Sequence, residues 1–336
     1  MGPPEIRPEW LAVMRRLIVF FGTLLLSACE GRQSVLYPAG RDAQDVLALI
    51  WLMFGGAVLL WFLLGVIFVY VTRVKPREMP RRWGEALIIG GGVIFPVILL
   101  GALLTYSLPM MKPQRAAEEG LKAHITAEQW WWRVEYELPD GRRITSANEL
   151  RLPTGRRTGL VLNAHKVIHA FWVPALGGKV DMIPGRETYL SFLPEEPGIY
   201  RGQCAEFCGA SHALMAFETV VMTPEDYAEW VEAEASDAAK PASAEAYRGA
   251  EVFAREGCGG CHMVRGTEAQ GQVGPDLTHV GSRKSIGAGI LQMTEDDLSR
   301  FIAHTEEIKP EVAMPGYDHL PPEDLRSLAA YLKGLT

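Results

Sequence analysis

Cysteine is scarce in this chain, with five in 336 residues, an odd number. A disulfide-stapled scaffold is therefore excluded, since such folds use cysteine densely and in pairs. Basic charge is short as well. Lys and Arg total 33 against 40 Asp and Glu, for a formal charge of −7, and no basic patch stands out. A nucleic-acid partner would select such a patch and is not expected. Glycine, at 34 residues, is far too sparse for collagen, and 48% hydrophobic residues are too many for a disordered chain. Charge is missing altogether from two 26-residue stretches, 46–71 and 86–111. The ordinary mean hydropathy of +0.05 averages these with very polar segments, and the length implies two or three units.

What is present divides the chain into parts. Met14-Arg15-Arg16, an apolar run over 17–26 and Ser27-Ala28-Cys29 have the basic start, short apolar core and small residues of an export signal, too short to span a bilayer. Met14 begins a better signal than Met1. Leu26-Ser27-Ala28-Cys29 resembles the bacterial lipoprotein processing signal, which makes Cys29 the expected lipidation site. As a helix, each uncharged stretch rises ~39 Å, more than the ~30 Å hydrocarbon core, so both are expected to be transmembrane. The connector 72–85 carries Arg73, Lys75, Arg77, Arg81 and Arg82. That excess of positive charge marks the cytoplasmic side and puts both ends of the hairpin outside. Pro96 is expected to kink the second span.

From 121 to about 223 the pattern becomes short β-rich runs: 125–138, running into the hairpin signal Asp140-Gly141, then 159–173, 187–193, 198–203 and 214–222. An all-β sandwich or barrel is expected. The Ala- and Glu-rich stretch 224–245 reads as a short helix frayed into a linker. Beyond it 246–256, 295–304 and 322–335 read as helices of a small all-α domain. The expected division is a signal over 1–28, a membrane hairpin over 29–120, a β-domain over 121–223, a linker over 224–245 and a helical domain over 246–336.

The remaining four cysteines form two pairs. Cys258-Gly259-Gly260-Cys261-His262 is the pattern of c-type haem attachment, with two thioethers holding the porphyrin and an adjacent imidazole for the iron. A redox dithiol or half a zinc site is the rival, but the domain offers neither a βαβ pattern nor a second cysteine pair. Met314, followed by Pro315 before the last helix, is the chosen distal ligand, and Met293 is the weaker competitor. Gly274-Pro275-Asp276-Leu277 is expected to pack the haem edge.

The second pair lies in Cys204-Ala205-Glu206-Phe207-Cys208-Gly209-Ala210-Ser211-His212-Ala213-Leu214-Met215, a soft donor set that favours copper. A mononuclear centre needs one thiolate; two bridging sulfurs hold two coppers sharing one delocalised electron. A second terminal imidazole is then required, and His169 is its expected source, whereas His165 and His124 read as surface or strand histidines.

The copper run, the segment 169–185, the aromatic Gln129-Trp130-Trp131-Trp132 and the preceding hairpin together resemble subunit II of haem–copper cytochrome c oxidase over about residues 40–223. Residues 246–336 resemble class I cytochromes c, so the fusion resembles subunit II of bacterial caa3-type oxidases. The resemblance implies a multidomain membrane protein with a two-helix hairpin, an all-β cupredoxin-like Greek-key barrel and an all-α cytochrome c domain. It implies a dinuclear copper A centre bridged by Cys204 and Cys208, with His169 and His212 terminal and with Met215 and the Glu206 carbonyl as further ligands. It also implies one covalent haem c on Cys258 and Cys261, axial ligands His262 and Met314, and a magnesium ion shared with subunit I through the Glu206 side chain. Trp130 matches the aromatic residue where electrons enter, with burial in a β-domain core as the plainer alternative. Trp132 reads as structural. The family often has a glutamate seven residues before the proline of the second helix. Here Ile89 stands at that position and Glu85 lies eleven before Pro96, so no proton role is carried over to Glu85.

The implied function is that of a respiratory oxidoreductase and translocase subunit in a bacterial cytoplasmic membrane, with its metal domains on the periplasmic face. Electrons from a cytochrome c-type donor or an upstream respiratory complex would reach subunit I, where oxygen is reduced to water with proton translocation; subunit III is a further expected partner. Three rivals differ from this. Quinol oxidase subunit II lacks the copper ligands present here. A copper-A-bearing nitric oxide reductase subunit shares both motifs and differs in its catalytic partner. A stand-alone lipoprotein electron carrier does not need a two-helix hairpin, because a lipid plus one helix already anchors.

Overall fold

A computed structural model of the chain describes residues 31–74, 79–111, 121–138 and 140–336, together with Arg16. The export signal, Cys29, Lys75 and Arg77 lie outside the described residues.

Two apolar helical stretches come first. Helix α1 (Arg41–Val69) continues through a π-helical turn at Tyr70–Val74, while α2 (Arg81–Ile89) and α3 (Phe95–Ser107) are joined by a second π-helical turn at Gly90–Ile94. The continuous helical runs, Arg41–Arg73 and Arg81–Met110, each contain an 18-residue window with a mean hydropathy of 2.6 that is unburied within the chain. They exceed the two uncharged stretches because Arg41, Asp42, Asp45 and the arginines after Pro80 continue the helices into the polar zone. The π-helical turn at Gly90–Ile94 stands just before Pro96, whose ring removes an N–H donor. Glu85 pairs with Arg81 one turn away at 2.7 Å, as an interfacial charge does. Asp42, in the first turn of α1, accepts from Arg157 and from the Leu193 N–H at 3.0 Å each, which seats the helix on the β-domain.

Ten strands build that domain: β1 (Leu121–Glu128), β2 (Trp131–Glu137), β3 (Arg143–Ala147), β4 (Glu149–Pro153), β5 (Thr158–Ala164), β6 (His169–Trp172), β7 (Val180–Met182), β8 (Thr188–Phe192), β9 (Gly198–Cys204) and β10 (Ala216–Met222). They form two five-stranded sheets, ordered β3-β2-β1-β5-β8 and β4-β10-β9-β6-β7. Strict alternation of buried and partly exposed residues along β1 gives its sheet one inward face, while β10 in the other sheet is buried along nearly its whole length. Trp132, Phe171, Phe192 and Phe217 meet between the sheets as fully buried rings.

Two β runs of the sequence reading divide. Residues 125–138 fold as β1 and β2 because the chain reverses at Gln129 and Trp130, whose side chains both donate to the Cys208 carbonyl. Residues 159–173 divide between β5 in one sheet and β6 in the other. The short helix expected at the start of 224–245 is present, and it is docked on the β-domain. Helix α4 (Pro224–Ala235), capped by the Thr223 hydroxyl, buries Tyr227, Trp230 and Val231 in the β-domain core, so three apolar residues among the alanines and glutamates dock it.

The C-terminal domain comprises α5 (Ala244–Arg255), a two-stranded ribbon of β11 (Ser285–Ile286) and β12 (Leu291–Gln292), α6 (Glu295–Ala303), the single turn α7 (Thr305–Ile308) and α8 (Pro322–Gly334). It lies directly on the β-domain. Glu149 accepts from the Lys284 N–H at 2.8 Å, Arg201 donates to the Gly289 carbonyl at 2.9 Å, the Ala216 N–H donates to the Ala288 carbonyl at 3.0 Å, and Arg133 donates to the Gln272 carbonyl at 2.9 Å.

Candidate metal centre

The donor atoms of the copper run converge because strand pairing closes a loop. Strand β9 ends at Cys204, which pairs with Phe171 of β6; that strand starts at His169. The chain then loops through Cys208 and a short 3₁₀ turn at His212–Leu214 and enters β10 one residue after Met215. The Cys204 and Ala205 N–H groups donate to the Met215 and Ala170 carbonyls at 2.9 and 3.0 Å, tying both ends of the loop to neighbouring strands.

Within this frame Cys204 Sγ and Cys208 Sγ stand 3.7 Å apart. His169 Nδ1 is 3.7 Å from the first sulfur and His212 Nδ1 3.6 Å from the second, with the Glu206 carbonyl at 3.2 Å from Cys204 Sγ and Met215 Sδ at 3.9 Å from Cys208 Sγ. His169, Cys204 and Cys208 are buried and their ligand atoms all lie within 4.8 Å of one another. The His169 Nε2 is buried without a partner. The neighbouring Cys208 thiol holds Cys204 well below the ordinary thiol range against the opposing pull of burial, and the same contact together with burial pushes Cys208 up. Two sulfurs that close share one proton, and a cation lets both ionise. The donor set therefore fits soft metal ions. The side chains of Glu206 and Phe207 point outward beside it, Phe207 being 75% exposed.

Trp130 joins this centre to a second one. It is 3% exposed, and its Nε1–H donates to the Cys208 carbonyl at 3.0 Å. Gly209 is what lets the indole so close: its φ is +119°, and a Cβ there would lie 2.8 Å from the ring. Trp130 also lines a cavity shared by the two domains, whose wall includes Cys258, Cys261, His262 and Met314. Leu277, Leu298 and Ile302 make that cavity apolar, as a porphyrin requires. His262 Nδ1–H donates to the Pro275 carbonyl at 2.7 Å, which fixes the tautomer and leaves Nε2 as the lone-pair nitrogen. Burial lowers the His262 pKa and the Pro275 carbonyl partly opposes it, so the ring stays neutral as a ligand must. A Cβ at Gly274 would stand 2.5 Å from the imidazole. These features fit a covalently held haem.

The structure thus gathers His169, Cys204, Cys208, His212, Met215 and the Glu206 carbonyl in one cluster, and Cys258, Cys261, His262 and Met314 around one cavity. Met293 packs against the helical core and is not among the cavity-lining residues. His165 is exposed and bonds Glu128, and Trp132 is buried among core rings. Trp131, Asn148, Arg283 and Lys309 line the cavity without having been singled out in the sequence. Only Trp131 carried a signal, as the middle of the tryptophan triplet.

Comparison with known proteins agrees with this geometry. Residues 134–222 match the family described as cytochrome c oxidase subunit II, periplasmic domain, and residues 246–336 match cytochrome c. Cytochrome c oxidase subunit 2 of Alkalihalophilus pseudofirmus is 32% identical over 97% of this chain and 98% of its own length. The protein of the same name from Bacillus subtilis is 32% identical over 95% of this chain and 96% of its own length. Among solved structures, the periplasmic domain of subunit II of cytochrome oxidase from Bradyrhizobium japonicum is similar at 32% identity, covering 34% of this chain and 92% of that one with a TM-score of 0.32. The β-domain is accordingly a copper A domain and the C-terminal domain carries haem c. With both halves matched in one polypeptide behind two apolar helices, the chain belongs to the cytochrome c oxidase subunit II family, in its caa3-type fusion with cytochrome c.

Proposed function

We propose that this chain takes electrons from a cytochrome c-type donor into its C-terminal domain, passes them through the β-domain and delivers them to subunit I, where oxygen is reduced to water with proton translocation. Family membership makes the chain an electron-transfer subunit of a membrane-anchored haem–copper oxidase, associated with subunit I. The finer route rests on one observation: a single buried side chain, Trp130, forms part of the haem-cavity wall and donates to the carbonyl of Cys208.

In this reading haem c and copper A, when bound, supply two one-electron carriers. Cys258 and Cys261 would hold the porphyrin and His262 and Met314 would ligate its iron, with the Pro275 carbonyl holding the imidazole proton on Nδ1 and leaving Nε2 free to ligate. Cys204, Cys208, His169 and His212 would hold the copper ions, with Met215 and the Glu206 carbonyl as further donors. Strand ends carry His169 and Cys204, and backbone bonds from Cys204 and Ala205 tie the loop bearing the other donors to neighbouring strands, an arrangement suited to a site that changes little between oxidation states. In this reading the exposed Glu206 side chain would share a magnesium ion with subunit I, and the exposed Phe207 beside it would be an apolar contact for that subunit. We assign the membrane to a bacterial cytoplasmic one, the metal domains to its outer face, Cys29 to lipidation after loss of residues 1–28, and subunit III to the complex.

The test uses the purified complex. It should show a c-type haem spectrum, a near-infrared copper band and oxygen consumption. Cys208→Ser should abolish the copper band and oxygen uptake while the haem is still reduced by donor. Zinc, or a single copper atom, in metal analysis of the mature protein would overturn the reading.

A further inference from the structure

Lys309 has no part in the relay just described, yet it is one of the most buried polar groups in the molecule, 3% exposed. It lies five residues before Met314 and reaches across to the other domain. Its Nζ donates to the Leu214 carbonyl at 2.9 Å and to the Gly287 carbonyl at 2.8 Å. Leu214 sits between His212 and Met215 in the copper loop, and Gly287 lines the haem cavity. The adjacent residue is held from the opposite direction: the fully buried Ser211 donates from Oγ to the Pro310 carbonyl at 2.6 Å. Two successive residues of the loop leading to Met314 are therefore bonded to the loop that carries His212 and Met215.

Burying an amine this deeply is expensive. Among the described residues no carboxylate lies within ion-pair distance of Lys309, and a methionine or leucine of similar length would be buried at lower cost. Burial draws the Lys309 pKa down to about 7, with the Cys208 sulfur opposing. Charged or neutral, the amine keeps at least two N–H donors, one for each carbonyl, so its hold does not depend on protonation. The segment joining the domains is held as well: His279 Nε2–H donates to the Ser236 carbonyl at 3.0 Å, and Arg265 donates to the same carbonyl at 3.2 Å.

We propose that Lys309, assisted by Ser211, is a positioning residue that keeps the haem domain docked on the copper-ligand loop, so that electrons cross from one fixed arrangement and not from a tethered domain that swings. This rests on the relay reading above and adds a geometric requirement to it.

The experiment photoreduces the haem in the purified complex and follows electron equilibration with copper as glycerol raises the viscosity. The wild-type rate should be independent of viscosity. Lys309→Met should slow it at least about tenfold and make it viscosity-dependent, because the domain must then re-dock. The near-infrared copper band and the methionine–iron band should both persist. If Lys309→Met loses either band, Ser211→Ala decides, with a smaller slowing and the same new viscosity dependence expected. A viscosity-dependent wild type overturns the proposal, and so do variants with the wild-type rate. A slowed rate that stays viscosity-independent, with a shifted copper potential, also overturns it by making Lys309 a charge effect. If the wild-type complex lacks the copper or haem spectrum, the relay reading itself fails, which separates the two failures.

Discussion

Met314 and Met293 are chemically identical, and neither spacing nor propensity separates them decisively as partners for the haem iron. Position does: Met314 lines the cavity together with Cys258, Cys261 and His262, and Met293 does not. A thioether raises the reduction potential relative to bis-imidazole ligation. Met314→Ala should therefore leave the haem attached through Cys258 and Cys261, lower its potential and remove the methionine–iron charge-transfer band, whereas Met293→Ala should leave both unchanged. Redox titration of the two variants measures this, and an unaltered Met314→Ala spectrum would reject the ligand assignment.

At the scale of elements, α4 shows how a few residues convert an apparent linker into a structural brace. Trp230 stands 5.1 Å from the Tyr136 ring and 5.4 Å from the Tyr227 ring, centroid to centroid, with the Arg151 guanidinium 5.3 Å over its face. Its Nε1–H donates to the buried Glu234 at 3.2 Å. Truncation removes ring packing and leaves a buried carboxylate without that donor. Trp230→Ala should cost the β-domain about 3–5 kcal/mol, read as a lower denaturant midpoint by loss of the copper band. A shift below about 1 kcal/mol would mean that α4 merely lies on the surface.

Across the whole molecule, docking changes which surface a donor can use. Trp130 is buried and lines the cavity shared with the haem domain, so the proposed relay has an external carrier deliver to that domain first. Residues 245–336 carry 9 Lys and Arg against 14 Asp and Glu, and opposite charge steers association over about a Debye length, ~10 Å at 0.1 M salt. Reduction of the haem by a basic cytochrome should slow several-fold between ~10 and ~200 mM salt, while the transfer onward to copper stays constant. Stopped-flow rates at graded ionic strength test this; a flat first step would remove the electrostatic argument.

The sequence by itself determined the parts whose physics is local. Two uncharged stretches declared the membrane helices, Cys258 to His262 declared the haem, and the twelve residues from Cys204 to Met215 declared the metal type, because ligand chemistry and hydropathy are properties of near neighbours. The boundaries of α5, α6 and α8 were likewise legible from helical periodicity. Contacts between distant residues were decided only by folding. His169, chosen because a second imidazole was required, reaches Cys204 through the β6–β9 pairing; Trp130 turns to Cys208 where the sequence showed one continuous strand, and Lys309 is separated by 95 positions from the carbonyl it holds. Packing of one domain on another depends on surface shape and on which carbonyls it leaves facing a donor, and residue order along the chain does not encode that directly.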